Sequence, residues 1–218
     1  MTKKQQPTVK QEQEAIISLL AGTQKYVKNH KNGVLAGVVI LVLAALFGYA
    51  YSAHVKKVQE NSWAAYYNAQ LAVMSDPSAV AQLDGVALQF PHTEAAQYAQ
   101  LLKGDILYAQ ENFAQAADVY EPLLHSHNDL IRTDAALSLA AAQQAVKDYE
   151  ASIRTATEFI TQHPTSFALP QAYFTLAMSQ ELAGKKDEAA ETYQQILADY
   201  TKTYFGTVAK DKLAALHK

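Results

Sequence analysis

The chain contains no cysteine. That removes disulfides, thiol nucleophiles, cysteine metal sites and a lipid-modified N-terminal cysteine; an oxidising compartment is compatible with it but not demonstrated. Glycine is sparse and never forms the spaced run that cradles a phosphate, since Gly184-Lys185-Lys186 lacks the upstream glycine. His-Glu-x-x-His and Gly-x-Ser-x-Gly are missing as well. His125 and His127 stand two apart, which on a helix points them away from each other, and a polar turn explains them better than a metal. His30, His54, His92, His163 and His217 lie near helix ends or flanks. Acidic pairs such as Asp187-Glu188 start helices, where the dipole favours them. The expectation is a protein that is not an enzyme and has no cofactor and no metal.

What the chain does have is one long apolar stretch. Residues 34–53 hold no charge and no proline. A helix of about 20 apolar residues covers the roughly 30 Å hydrocarbon core of a bilayer. Lys25, Lys28 and Lys31 precede it, and Lys56 and Lys57 follow it. A cleaved signal peptide is the competing reading, because Ala50-Tyr51-Ser52 passes as a small-x-small cleavage site. Such peptides have a shorter front and an apolar core of about 7–15 residues, so the transmembrane reading is preferred. Within the span, Gly33, Gly37, Ala44 and Gly48 fall inside about 60° of arc at roughly 100° per residue. Small residues let two helices approach closely; they are also frequent in spans, and both readings stand.

Charge divides at this stretch. Residues 1–33 carry six lysines against Glu12 and Glu14, a net of +4; residues 54–218 carry twelve Lys and Arg against nineteen Asp and Glu, a net of −7. An acidic domain argues against nucleic acid, whose phosphates need a basic face. Short basic flanks stay in the cytoplasm, while long domains cross largely regardless of charge. The expected segments are therefore 1–32, cytoplasmic with an amphipathic helix, 33–53, transmembrane, and 54–218, outside the cytoplasm.

Residues 1–11 are polar and expected to be disordered. A helix is expected from about Glu12 to Asn29, with Ile16, Leu20, Thr23 and Val27 on one side, Leu19 and Tyr26 beside them, and a basic last turn. It either lies on an anionic leaflet or is an ordinary juxtamembrane helix with solvated lysines. Beyond the span, 54–74 has no Gly or Pro, so the helix is expected to continue until Asp76-Pro77. Helical patterns follow near 78–90, 93–110, 113–126, 130–147, 150–163, 167–183, 186–199 and 203–217. Turn residues separate them, at Phe90-Pro91, Glu111-Asn112, His127-Asn128, Lys147-Asp148, His163-Pro164 and Gly184-Lys185.

These helices repeat in pairs. Gly184-Lys185-Lys186-Asp187-Glu188-Ala189-Ala190-Glu191-Thr192-Tyr193 has the turn, small residue and aromatic of a tetratricopeptide repeat's second helix. Glu111–Tyr120 matches it, and Lys147-Asp148-Tyr149-Glu150-Ala151-Ser152-Ile153 is a further copy. The small position falls at Ala79, Ala116, Ser152 and Ala189, spaced 37, 36 and 37. Trp63 and Tyr173 take the aromatic place in the first and last leading helices. Lys103 stands where a leucine is expected, and Ala156 replaces the second-helix aromatic. The chain thus resembles the tetratricopeptide repeat superfamily: an all-α protein, one transmembrane helix and then an α-solenoid of about four pairs with a capping helix.

The layout as a whole resembles the ancillary SecYEG translocon subunit family of the bacterial inner membrane. That resemblance implies a non-enzymatic adaptor with a periplasmic solenoid, whose partners are translocon subunits, periplasmic chaperones and nascent chains. By family register the concave face includes Asn68, Asp105, Tyr108, Gln144, Phe174, Met178 and Glu181. None is Lys or Arg, which disfavours a clamp for a partner's C-terminal carboxylate. A structural scaffold of an envelope assembly or division complex is the alternative class.

The charge asymmetry carries a topology test. A reporter active only outside the cytoplasm should work when fused after Lys218 and stay silent when fused after Lys28; the reverse pattern would invert the orientation.

Overall fold

A computed structural model describes residues 9–216, with side chains from Glu14 onward except those of Ala15, Ile16 and Leu19. Most of the polar front, together with the side chains of Ile16 and Leu19 and with His217, therefore lies outside the described residues. The described residues form ten α-helices and two 3-10 turns, without strands. They fall into two compact units, Met1–Lys57 and Val58–Lys218.

The first unit contains α1 (Val9–Asn29) and the leading part of α2 (Lys31–Ser75). Helix α1 starts three residues before the expected Glu12. Helix α2 runs unbroken from the apolar stretch to Ser75, as the absence of Gly and Pro after the span requires. It is the one helix among the described residues long and apolar enough to cross a membrane, with a mean hydropathy of 2.4 over its most apolar window. Side chains added at Gly33, Gly37 or Gly48 would meet nothing within 4 Å, so the glycines of the small-residue stripe have no partner among the described residues.

The second unit is a stack of helix pairs. The end of α2 pairs with α3 (Ala81–Gln89), α4 (Glu94–Ala109) with α5 (Phe113–Tyr120), α6 (Asp129–Ala145) with α7 (Tyr149–Gln162), and α8 (Leu169–Leu182) with α9 (Lys186–Asp199). The last helix, α10 (Tyr204–Leu216), packs on α8 and α9 as a cap. Starts are fixed by side-chain caps. Thr93 accepts from Ala96 N–H, Asn128 from Leu130 and Ile131 N–H, and Asp148 from Ala151 N–H, each satisfying an orphan donor.

The turn inside each of the last three pairs is the same structure. Glu111, Lys147 and Gly184 have φ of 62°, 66° and 80°. At each, the next residue's N–H reaches five residues back: Asn112 to Leu107 O, Asp148 to Gln143 O, Lys185 to Gln180 O, at 2.8–2.9 Å. This left-handed cap closes the first helix and aims the chain back along it. Only the last turn uses glycine; the other two place L-residues where the left-handed conformation is disfavoured.

The small positions become helix crossings at three of their four places. Ala116, Ser152 and Ala189 have no exposed surface. Four residues further on, Tyr120, Ala156 and Tyr193 are 1%, 1% and 0% exposed, so the slot is filled whatever its residue. Where Tyr120 fills it, the facing helix gives way: a Cβ on Gly104 would overlap the tyrosine ring. The expectation for Ala79 is corrected. It is half-buried within a 3-10 turn, Pro77–Val80, instead of a helix crossing. Pro77 at the start of that turn, capped by Asp76, opens the second element as a tight turn, and Leu83 and Val86 bury the pair instead. Proline also explains why α5 stops at Tyr120: Pro122 lies in the 3-10 turn Glu121–His125, where the sequence pattern had continued a helix to 126.

Lys103, which breaks the repeat pattern, is explained by an ion pair. Its Nζ reaches Asp84 of α3 at 2.7 and 2.9 Å, joining the first pair to the second. Both groups retain solvent contact, which limits such a pair to about 0–1 kcal/mol.

Ala189 tests this packing. It lies with Ala177, Tyr193, Ile196 and Ala209 in one buried cluster, whereas Ala183 is half-buried at the turn. Ala189→Leu should destabilise by roughly 1–3 kcal/mol and speed hydrogen exchange from about residue 167 onward, while Ala183→Leu should do much less. Equal effects would refute the register.

Candidate interaction face

The first helices form a continuous layer. Helices α4 and α6 touch, as do α6 and α8, and α8 and α10; α2 joins through the cluster of Tyr66, Ala69 and Val73 with Ala95 and Ala99. No comparable packing joins the second helices among the described residues. When one layer's helices are in contact and the other's are splayed, the contacting layer is the inner one. The first helices therefore line the concave side of the solenoid.

Gln144, Phe174 and Glu181 of the expected lining are engaged in holding the stack together. The Gln144 side chain on α6 donates to Thr175 O at 3.0 Å and to Ser179 Oγ at 2.6 Å, both on α8. Ser179 Oγ lies 2.8 Å from Ser152 Oγ, and the Ser152 hydroxyl donates to Ala140 O. The two serines are fully buried; their partners satisfy them, so the network ties α6, α7 and α8 without an orphaned hydroxyl. Glu181 accepts from Tyr193 OH at 2.9 Å and from Lys212 Nζ of the cap at 3.2 Å. Phe174 packs against Tyr193 and Phe205, with ring centroids 6.2 and 5.6 Å away.

The remaining four are turned outward to different degrees. Asn68 is exposed on α2 and Met178 half-buried on α8. Tyr108 stands edge-on to Phe113, its centroid 5.0 Å away. Asp105 is exposed on α4 and accepts from Tyr120 OH at 2.7 Å. The structure thus brings Gln144, Phe174 and Glu181 into the frame of the stack and leaves Asn68, Asp105, Tyr108 and Met178 on its surface. Two repeat-equivalent bonds also escaped the sequence. Thr155 donates to Gln143 and Thr192 to Gln180, at 2.9 and 2.8 Å, linking first to second helix in each pair.

Sequence reasoning missed Asp134 and Lys212. Asp134 is exposed on α6, one unit beyond Asp105, and its charge adds to the forces that raise the Asp105 carboxyl. Both residues reach solvent, yet neighbouring protein atoms crowd their carboxyls; this partial loss of hydration is the first cause that holds both above the ordinary value, and the Tyr120 hydrogen bond offsets it only in part at Asp105. Burial, and then the Asp105 carboxylate, push the Tyr120 hydroxyl up. Lys212 supplies the cation that the expected lining lacked, but at the cap and paired to Glu181.

Two clefts of about 390 and 320 Å³ meet at Arg132, Gln162 and His163, beside the start of α6 and the end of α7. His125 and His163 both line the second cleft, along with Glu121 and Glu158. The Arg132 guanidinium donates to Ser126 O at 2.7 Å and pairs with Asp129. No group of three or more His, Asp or Glu able to hold a metal occurs among the described residues.

The raised carboxyls set a pH dependence. A folded-state pKa above the unfolded one means the native state holds the proton more tightly, so stability is lost as pH rises through the folded value. Asp105→Asn keeps an acceptor for Tyr120 and removes the charge. Its melting temperature relative to the parent should therefore climb as pH rises from about 4 to 7. A difference constant with pH would show that the Asp105 carboxylate costs nothing here.

Among known families, a tetratricopeptide repeat model matches residues 171–203, the hairpin of α8 and α9. No curated protein matches the chain. The solenoid is all-α and contains a tetratricopeptide repeat, a module that engages other proteins.

Proposed function

We propose that the chain is a non-enzymatic, membrane-anchored adaptor. In this reading α2 crosses a bacterial inner membrane once, with the N-terminus in the cytoplasm and residues 54–218 in the periplasm. The inner layer of first helices receives protein segments at the exit side of the export channel. Its partners are translocon subunits, periplasmic chaperones and nascent chains.

The observation that carries the proposal is the coupling of one span-length helix to a stack containing a tetratricopeptide hairpin. Stacked repeats present an extended concave surface, and such surfaces bind polypeptide. The outer domain's net charge of −7 makes nucleic acid an unsuitable partner. Lys212 is paired, so the face still offers no open cationic clamp for a terminal carboxylate. The translocon assignment rests on the resemblance of the whole layout to that family.

Purification from gently solubilised membranes, through a tag after Lys218, tests the reading. Translocon subunits and periplasmic chaperones should be enriched over a control lacking 58–218. Recovery instead of a stoichiometric envelope or division complex, with no translocon subunit, would favour the scaffold alternative.

A further inference from the structure

The second half of α1 presents a strip with no partner in the adaptor reading. Leu20, Thr23 and Val27 fall three and four residues apart, which places them on one side of the helix. With Gln24, Lys28 and Lys31 they line one open groove. Leu20 and Val27 are 64% and 45% exposed. No acid occurs between Glu14 and Glu60, so Lys28 and Lys31 are the ionised side chains that line this groove. Lys25 falls on the opposite side from Leu20 and Val27 by the same periodicity. His30 lies outside both helices, a break at which α1 can turn away from the axis of α2, and the apolar stretch follows it; His30 N–H pairs with Tyr26 O and Val34 N–H with His30 O.

An occupant of this strip must offer an apolar interior, negative charge at its rim, and a position beside the start of the span. An anionic lipid surface offers all three: apolar side chains enter the headgroup–acyl boundary while lysines remain at the headgroups. We infer that α1 lies along an anionic membrane surface, with Leu20 and Val27 inserted and Lys28 and Lys31 at the headgroups. The inference rests on α2 being a membrane anchor.

The chain's lack of cysteine makes the test direct. Single cysteines replace Leu20, Lys25, Val27 or, in the span, Val42 in the full chain, each carrying an environment-sensitive fluorophore. The protein is reconstituted into vesicles of phosphatidylcholine alone or mixed with phosphatidylglycerol. In the mixed vesicles, labels at 20 and 27 should be blue-shifted and shielded from an aqueous quencher, while the label at 25 stays quenched. In phosphatidylcholine alone, the label at 20 should return to water. Lys28→Gln and Lys31→Gln should each lower the inserted fraction relative to the free one by roughly fivefold. A depth that increases steadily from 20 through 25 to 27 would mean that α1 stands upright, and would overturn the inference. Equal shielding in both lipids would overturn its anionic part. A label at 42 that is open to the quencher would overturn the anchor reading and this inference together; shielding at 42 with quenching at 20 would overturn this inference alone.

Discussion

Where the second helix crosses the first, there is no room for a side chain larger than the one present. Ala116, Ser152 and Ala189 are sealed at these crossings, and the residue one turn later fills the remaining gap. The interior has little free volume, so the identity of the filler decides what the first helix can carry. Tyr120 needs glycine opposite it. Ala156 needs nothing, and there the neighbouring Ser152 finds a hydroxyl partner from α8 instead. Burying each large filler is worth about 2 kcal/mol, and the two tyrosines must also place a hydroxyl. Both place it on an acid of the first helix, Asp105 in one unit and Glu181 in the other.

That placement links core to surface. The acids that receive the tyrosine hydroxyls stand on the inner layer, so packing inside a pair fixes charge on the face proposed to meet a partner. At Glu181 the charge is then neutralised by Lys212 from the cap. Among the described residues no cation is bonded to Asp105, and Asp134 from the next unit raises the cost of its ionisation. The inner face therefore differs along its length: acidic around α4 and α6, compensated and aromatic around α8 and α10. A partner segment with a basic residue toward its first-pair end and an apolar one toward the cap would match this gradient.

The helical order was legible because each break has a local cause that a sequence shows: Asp76-Pro77, Phe90-Pro91, Lys147-Asp148, Gly184-Lys185. Ala116, Ser152 and Ala189 were legible for a related reason, since a crossing that excludes bulk must repeat at the period of the fold. Ala79 misled because Asp76 and Pro77 start the second element as a 3-10 turn, shifting its burial to Leu83 and Val86. The roles of Gln144 and Glu181 were not legible. Their partners, Ser179 and Lys212, lie 35 and 31 residues away on another unit, and no local pattern announces a bond between units. Gly104 was hidden in the same way, as its reason is the ring of Tyr120. Lys103 looked like a defect of the repeat and is an ion pair between pairs.

The claim on which the account turns is that the layer of first helices is the face that meets partners. Photo-crosslinking in intact cells addresses it directly, with the crosslinker placed in turn at Met178 on the inner layer and at Gln194, exposed on α9. The account requires discrete adducts from position 178 and none of comparable yield from 194. Adducts from 194 with silence at 178 would put the binding surface on the outer layer and contradict it.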